Sequence, residues 1–149
     1  MSDRASDVTV VVATRNRRER LADTLDRHPG PVILVDNASE DGTPTFVERR
    51  FPHVRVVRLT HNAGAAARNV GVRLARTPFV AFADDDSYWA EASLERAVEV
   101  LRARPAVGLL AAKVLVGAAA DLDPVSAAMA LFEGVGAWRA SSNLELILR

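Results

Sequence analysis

The chain has 149 residues, with 19 basic and 19 acidic side chains, 49% hydrophobic residues and no cysteine. A disulfide framework and a cysteine-ligated zinc or iron–sulfur site are therefore excluded, and the apolar fraction is too high for an intrinsically disordered chain. A formal net charge of zero argues against nucleic-acid binding through bulk electrostatics.

One compact domain spanning 1–149 is expected, because folding at this length buries roughly 68–70% of the unfolded surface. Met1 to Asp7 has neither a basic nor an apolar region of the secretory type. The longest apolar tract, Val107 to Ala120, carries Lys113 and falls short of the roughly 20 residues that span a bilayer. A soluble cytoplasmic protein without a transmembrane segment is the expectation.

Apolar strands and amphipathic helices alternate along the chain. Val8 to Ala13 is a β-branched run that empties into Thr14-Arg15-Asn16. A helix is expected over Arg17 to His28, with Leu21 and Leu25 one turn apart and Pro29-Gly30-Pro31 as its stop. Val32 to Val35 reads as a second buried strand ending at Asp36-Asn37, with Ser39 and Asp41 as candidate caps for a helix over Thr45 to Phe51. Val54 to Leu59 is a third strand, ending at Thr60-His61-Asn62. Ala63, Ala67, Val70 and Leu74 then mark a small-faced helix.

Phe79 to Ala83 is a fourth strand and ends at Asp84-Asp85-Asp86. Ala90 to Arg104 carries Leu94, Ala97, Val98 and Leu101 on one helical face. A fifth strand is expected within Val107 to Val116, and a short helix after Asp123-Pro124. The tail from Glu133 is atypical, and its apolar stretch Leu144 to Leu148 has no evident partner. The βαβ repetition implies an α/β fold, a mostly parallel sheet with helices on both faces. In such sheets ligands bind beyond the carboxyl ends of the strands, so the polar clusters should line one rim.

Each cluster has its own chemistry. Three adjacent carboxylates after a buried strand repel one another, and a divalent cation, Mg²⁺ or Mn²⁺, would relieve them; the alternative is a solvated acidic turn. Asp36 offers two acceptors for a pyrimidine N3–H or a pair of ribose hydroxyls, with Asn37 able to donate and accept beside it. An Asx turn accounts for the same pair equally well. Arg68, one turn into the third helix, can reach a diphosphate or a base edge, or serve as a surface charge. Arg15 has the same two readings.

The first strand–helix turn lacks glycine, which excludes a dinucleotide fingerprint or P-loop, and the three histidines lack metal-ligand spacing. Asp84-Asp85-Asp86-Ser87 loosely matches the start of a haloacid-dehalogenase-type phosphatase, but it follows the fourth strand rather than the first.

The ordered segments VVATRNR (11–17), VDNASEDGT (35–43), NAGAAARNVG (62–71) and FADDD (82–86) resemble the donor half of family 2 glycosyltransferases, over about Thr9 to Gly117. The resemblance implies a Rossmann-like GT-A fold and an inverting enzyme that takes a nucleoside-diphosphate sugar to an acceptor the sequence does not name. By motif position, Thr14 and Arg15 would flank the nucleoside, Asp36 would recognise the base, and Arg68 would approach base or diphosphate. Asn16, Asn37 and Asp85 would line the same donor site. Asp86 would be the direct metal ligand, and Asp84 a ribose or metal-water contact.

In the family, the catalytic base and most of the acceptor site come from a second half of roughly a hundred further residues. A truncated chain is therefore expected, its base absent, and exposed apolar surface would favour homo-oligomers. A non-catalytic nucleotide-binding module and the phosphatase, with Asp84 as nucleophile, are the alternatives.

Overall fold

The structure, a computed structural model, describes residues 7–90, 92–117, 119–130 and 145–148. Four apolar runs form parallel strands: β1 (Val8–Thr14), β2 (Val32–Asp36), β3 (Arg55–Arg58) and β4 (Phe79–Ala83), in the sheet order β3-β2-β1-β4. Strand β1 is buried at nearly every position, which is why it reads as a continuous apolar run rather than an alternating one.

Alternate side chains of β1 feed two cores. Val8, Val10 and Val12 pack with Leu21, Leu25, Val47, Phe51, Leu94 and Val98, from helices α1 (Arg18–Thr24), α2 (Thr43–Arg50) and α4 (Ser93–Ala103), the turn after α1 and the residue that ends α2. Val11 points the other way and packs with Ile33, Val35 and Ala67, under helix α3 (Ala67–Leu74). The sheet is thus covered on both faces.

Small residues let α3 come close. A Cβ at Gly71 would lie 2.4 Å from Val11 Cγ1 and 3.0 Å from its Cγ2, and Val11 is fully buried with a stiff, β-branched side chain. Gly71→Ala is therefore expected to destabilise the chain by about 1–3 kcal/mol through overpacking. A urea melt checks this, and an unchanged midpoint would mean that α3 can back away from β1 at little cost.

Several boundaries differ from the sequence expectation for local reasons. Helix α1 stops at Thr24 and tightens into a 3-10 turn over Leu25–Arg27, because Pro29 drives His28 into extended backbone at φ −76°, ψ 126°. Helix α3 is preceded by a 3-10 turn over Gly64–Ala66, and Gly64 takes φ +57°, a left-handed geometry that glycine adopts without strain. Helix α4 starts at Ser93 rather than Ala90, because Ser87–Trp89 is a short strand, β5, with Ser87 and Trp89 buried and Tyr88 half-buried.

The fifth expected strand does not extend the parallel sheet. It is β6 (Lys113–Val116), part of a second sheet in the order β5-β8-β6-β7, where β7 is Asp121–Leu122 and β8 is Glu145–Leu148. The stretch for which no partner was evident from sequence is β8, which pairs antiparallel with β5 and parallel with β6. Helix α5 (Pro124–Ala130) begins with proline at its first position as expected, and Asp123 Oδ2 accepts the Ser126 N–H at 2.9 Å. The rest of the tail, 131–144, lies outside the described residues. No helix among the described residues is long and apolar enough to cross a membrane.

Candidate functional site

The chain runs from β1 outward to β2 and β3, then returns past β1 to β4, so the sheet order reverses direction beside β1. A crevice for ligands lies at the carboxyl ends of the strands flanking such a reversal. Register decides what faces it. Thr14 pairs with Asp36 across β1 and β2, and Val12 pairs with Ala83 across β1 and β4, so continuing the second register sets Asp85 level with Thr14.

The triplet after β4 is built into a tight turn. Ser87, fully buried, accepts the Asp84 N–H at 2.9 Å through Oγ and donates back to the Asp84 carbonyl at 3.2 Å. Asp84 is exposed and pairs with Arg68, the second residue of α3. Asp85 turns toward β1, where its Oδ2 accepts the Thr14 hydroxyl at 3.0 Å, and its carbonyl accepts the Thr24 hydroxyl at 3.0 Å. Asp86 is half-exposed and, among the described residues, makes no hydrogen bond or ion pair.

Electrostatics single out Asp85. Burial, followed by the neighbouring charges of Asp86 and Asp84, pushes its carboxyl above the usual aspartate range, against the Thr14 hydrogen bond and the Arg17 charge. The anion of Asp85 is thus disfavoured by its burial first and by its two acidic neighbours second. Among the described residues no three His, Asp or Glu side chains converge as a metal cluster. Asp86, unpaired among the described residues, beside the exposed Asp84 still fits Mg²⁺ or Mn²⁺, which take one or two carboxylates and complete their shell with substrate phosphates and water.

A second group lies at the end of β2. Asp36 is 2% exposed; its Oδ2 accepts the Ser39 N–H at 3.1 Å, while its Oδ1 is sealed from solvent without a partner. Burying a carboxylate oxygen unpaired is costly, so this atom is either strained or reserved for a donor. Asn37 is already engaged: its Oδ1 accepts the Ala63 N–H at 2.7 Å, its Nδ2 donates to the Gly64 carbonyl at 3.2 Å, and its N–H donates to the Thr14 carbonyl at 2.8 Å.

Asn16 holds a left-handed φ of +55°, which asparagine tolerates, and ties two loops together. Its N–H donates to Ser39 Oγ at 2.9 Å, and its Oδ1 accepts the Glu40 N–H at 2.8 Å. Arg15 is 43% exposed in its side chain and lies 3.7 Å from Glu40, a weak surface pair.

The fold thus brings Thr14, Arg68, Asp84, Asp85 and Asp86 to one end of β1 and β4, with Asp36 adjoining across β2, whereas Asn16 and Asn37 spend their side chains on loop contacts. Sequence reading missed three further residues. Thr24 and Ser87 carried no local signal, since their partners are remote in sequence or inside an unforeseen strand turn. Ser39 and Asp41 both read as helix caps, but Gly42 holds the cap position of α2; Asp41, one residue before it, accepts the Thr43 N–H at 2.9 Å, and Ser39 bonds Asp36 and Asn16 instead.

Comparison with known proteins identifies the family. The Glycosyl transferase family 2 model matches residues 9–124. The Bacillus subtilis glycosyltransferase TuaG, named for teichuronic acid biosynthesis, is 36% identical over 107 residues, 65% of this chain and 42% of its own length. The succinoglycan biosynthesis protein ExoO of Rhizobium meliloti is 32% identical over 105 residues, 65% of this chain and 30% of its own. The chain therefore spans less than half the length of these relatives. Among solved structures, S. aureus TarS 1-349 in complex with UDP-GlcNAc superposes with a TM-score of 0.56 and 26% identity, covering 73% of this chain and 33% of that one. The UDP complex of the same protein gives a TM-score of 0.57. With its reversed sheet order, its acidic turn after β4 and a family match over most of its length, the chain is a member of glycosyl transferase family 2, with a GT-A fold.

Proposed function

We propose that the carboxyl ends of β1, β2 and β4 bind a nucleoside-diphosphate sugar, with a uridine nucleotide as the donor class, for transfer to an acceptor hydroxyl. The observation that carries this reading is Asp36, a buried carboxylate at the second strand end whose Oδ1 lacks a partner. A uracil N3–H is a donor of the right kind for it, and the superposable TarS structures hold UDP and UDP-GlcNAc.

Arg68 then has a choice of anions. Its guanidinium, paired with Asp84 here, is placed to take diphosphate oxygens when the donor binds. Asp86 as direct ligand, and Asp84 through water, would hold Mg²⁺ or Mn²⁺. The bound ion supplies charge neutralisation for the departing diphosphate. In the transfer, an acceptor oxygen forms a bond to the anomeric carbon as the carbon–oxygen bond to the diphosphate breaks, with inversion. The acceptor hydroxyl gives up its proton to a general base other than the donor-site residues named here.

Family membership sets the phosphatase alternative aside. A donor-binding module without turnover is separated from a transferase by measuring UDP-sugar consumption alongside binding. Calorimetry of UDP binding with Mn²⁺ tests the metal assignment: Asp86→Ala is expected to reduce affinity to that of wild type in EDTA. Unchanged affinity in Asp86→Ala would remove Asp86 from the site.

A further inference from the structure

We infer that Asp85, the middle carboxylate of the triplet, is a positioning residue that docks the acidic turn onto the floor of the sheet through Thr14, so that Asp84 and Asp86 face the donor. This rests on the donor-site reading above and assigns within it a division of labour among three chemically identical side chains. The pattern begins with alternation: Asp84 is exposed and pairs with Arg68, while Asp85 turns back toward β1.

Its partner is well placed to act as an anchor. Thr14 is the last residue of β1, 3% exposed, and its backbone is fixed by the β2 pairing, which the Asn37 N–H continues by donating to its carbonyl at 2.8 Å. A hydroxyl held this rigidly fixes whatever accepts from it. A second anchor acts on the same residue through the backbone. Thr24, 2% exposed at the end of α1, donates to the Asp85 carbonyl at 3.0 Å, and the same hydroxyl lies 3.3 Å from the Arg20 carbonyl within its own helix.

The turn is thus gripped from β1 and α1 at its middle residue, and from Ser87 at its first. A flexible acidic turn would collapse its charges toward any nearby cation or swing into solvent. The two threonines prevent this, and neither needs to touch the ligand. Removal of such supporting hydrogen bonds typically lowers metal affinity by 10–100-fold while leaving the ligating carboxylate in place.

The test compares Mn²⁺-dependent UDP binding by calorimetry in wild type, Asp85→Ala, Asp85→Asn, Thr14→Val and Thr14→Ser, with UDP binding in EDTA and a thermal melt for each. Asp85→Ala and Thr14→Val are expected to weaken the Mn²⁺-dependent binding by roughly tenfold or more. Asp85→Asn, which keeps an oxygen to accept from Thr14, and Thr14→Ser, which keeps the hydroxyl, are expected to recover most of that loss. Combining Asp85→Ala with Thr14→Val should add little to either alone, since both break one contact.

If Asp85→Asn is as weak as Asp85→Ala, the negative charge itself meets the ion or donor and the positioning role is overturned. Wild-type affinity in Asp85→Ala overturns it as well. Should Asp85→Ala fail to fold, the Thr14→Val and Thr14→Ser pair decides, because a lost hydroxyl that costs no metal-dependent affinity refutes the anchor. Absence of metal-dependent binding in folded wild type is a different failure, one that overturns the donor-site reading and this inference with it.

Discussion

Asp36→Ala is expected to weaken UDP binding by roughly one to two orders of magnitude both with Mn²⁺ and in EDTA, because it removes a buried acceptor at the end of β2 that has no hydrogen-bond partner among the described residues. A hydrogen bond to a charged acceptor contributes about 1.5–3 kcal/mol, which corresponds to roughly 10–150-fold in affinity. Asp36→Asn makes the sharper comparison. Its single carbonyl oxygen is claimed by the Ser39 N–H, as Oδ2 is now, which leaves an NH₂ where the base presents its own N–H. Two donors then face each other, and Asn is expected to bind UDP nearly as poorly as Ala while keeping the fold. Calorimetry on both variants, with circular dichroism to verify folding, checks this; wild-type affinity in either variant contradicts the role of Asp36.

The second large effect is on stability rather than binding. His28 follows the turn after α1, 8% exposed, with neither ring nitrogen bonded, and it borders an open cleft of about 600 Å³ with Tyr88 and Trp89. Burial lowers its pKa from 6.5 to about 4. Between those two values the unfolded chain takes up a proton that the folded chain refuses, so stability is full above pH 6.5 and falls as the pH drops toward 4. The loss across that window is about 3 kcal/mol. His28→Leu, of similar size, is expected to abolish that part of the pH dependence and to stabilise the chain at pH 5. Urea melts at pH 7 and pH 5 measure the difference; an equal pH slope in the variant would place the acid sensitivity elsewhere.

The central sheet was legible because β1 and β2 are buried on both faces and announce themselves as unbroken apolar runs, as does β4, although that edge strand leaves Phe82 exposed. Their polar ends were legible for the complementary reason, since Thr14, Asp36 and Asp84 stop those runs abruptly. Pairing across the second sheet was not. Ser87–Trp89 and Glu145–Leu148 are too short to carry a period, and their partnership spans more than fifty residues of sequence, which no local propensity encodes.

The same limit applied within the site. Asn37 and Asp36 are adjacent and equally polar, yet one spends its amide on the loop of Ala63 and Gly64 while the other leaves an oxygen free. That difference arises from where the β3–α3 loop comes to rest. The Asx-turn reading of Asp36 accounts for one oxygen, which accepts the Ser39 N–H, and the other has no hydrogen-bond partner among the described residues. Likewise the identity of the inward-facing aspartate, Asp85, follows from the β1–β4 register and not from the triplet itself.

The donor-site account is tested most directly by the thermal stability of the wild-type chain with UDP, GDP, TDP or CMP, each in Mn²⁺ and in EDTA. A ligand that binds only the native state at a hundred times its dissociation constant stabilises it by about 2.7 kcal/mol, which for a chain of this size raises the melting temperature by roughly 5–10 °C. The account predicts a rise of that order for UDP with Mn²⁺, a smaller one in EDTA, and none with CMP. A cooperative transition that none of the nucleotides moves, or one that all four move equally regardless of metal, would contradict it.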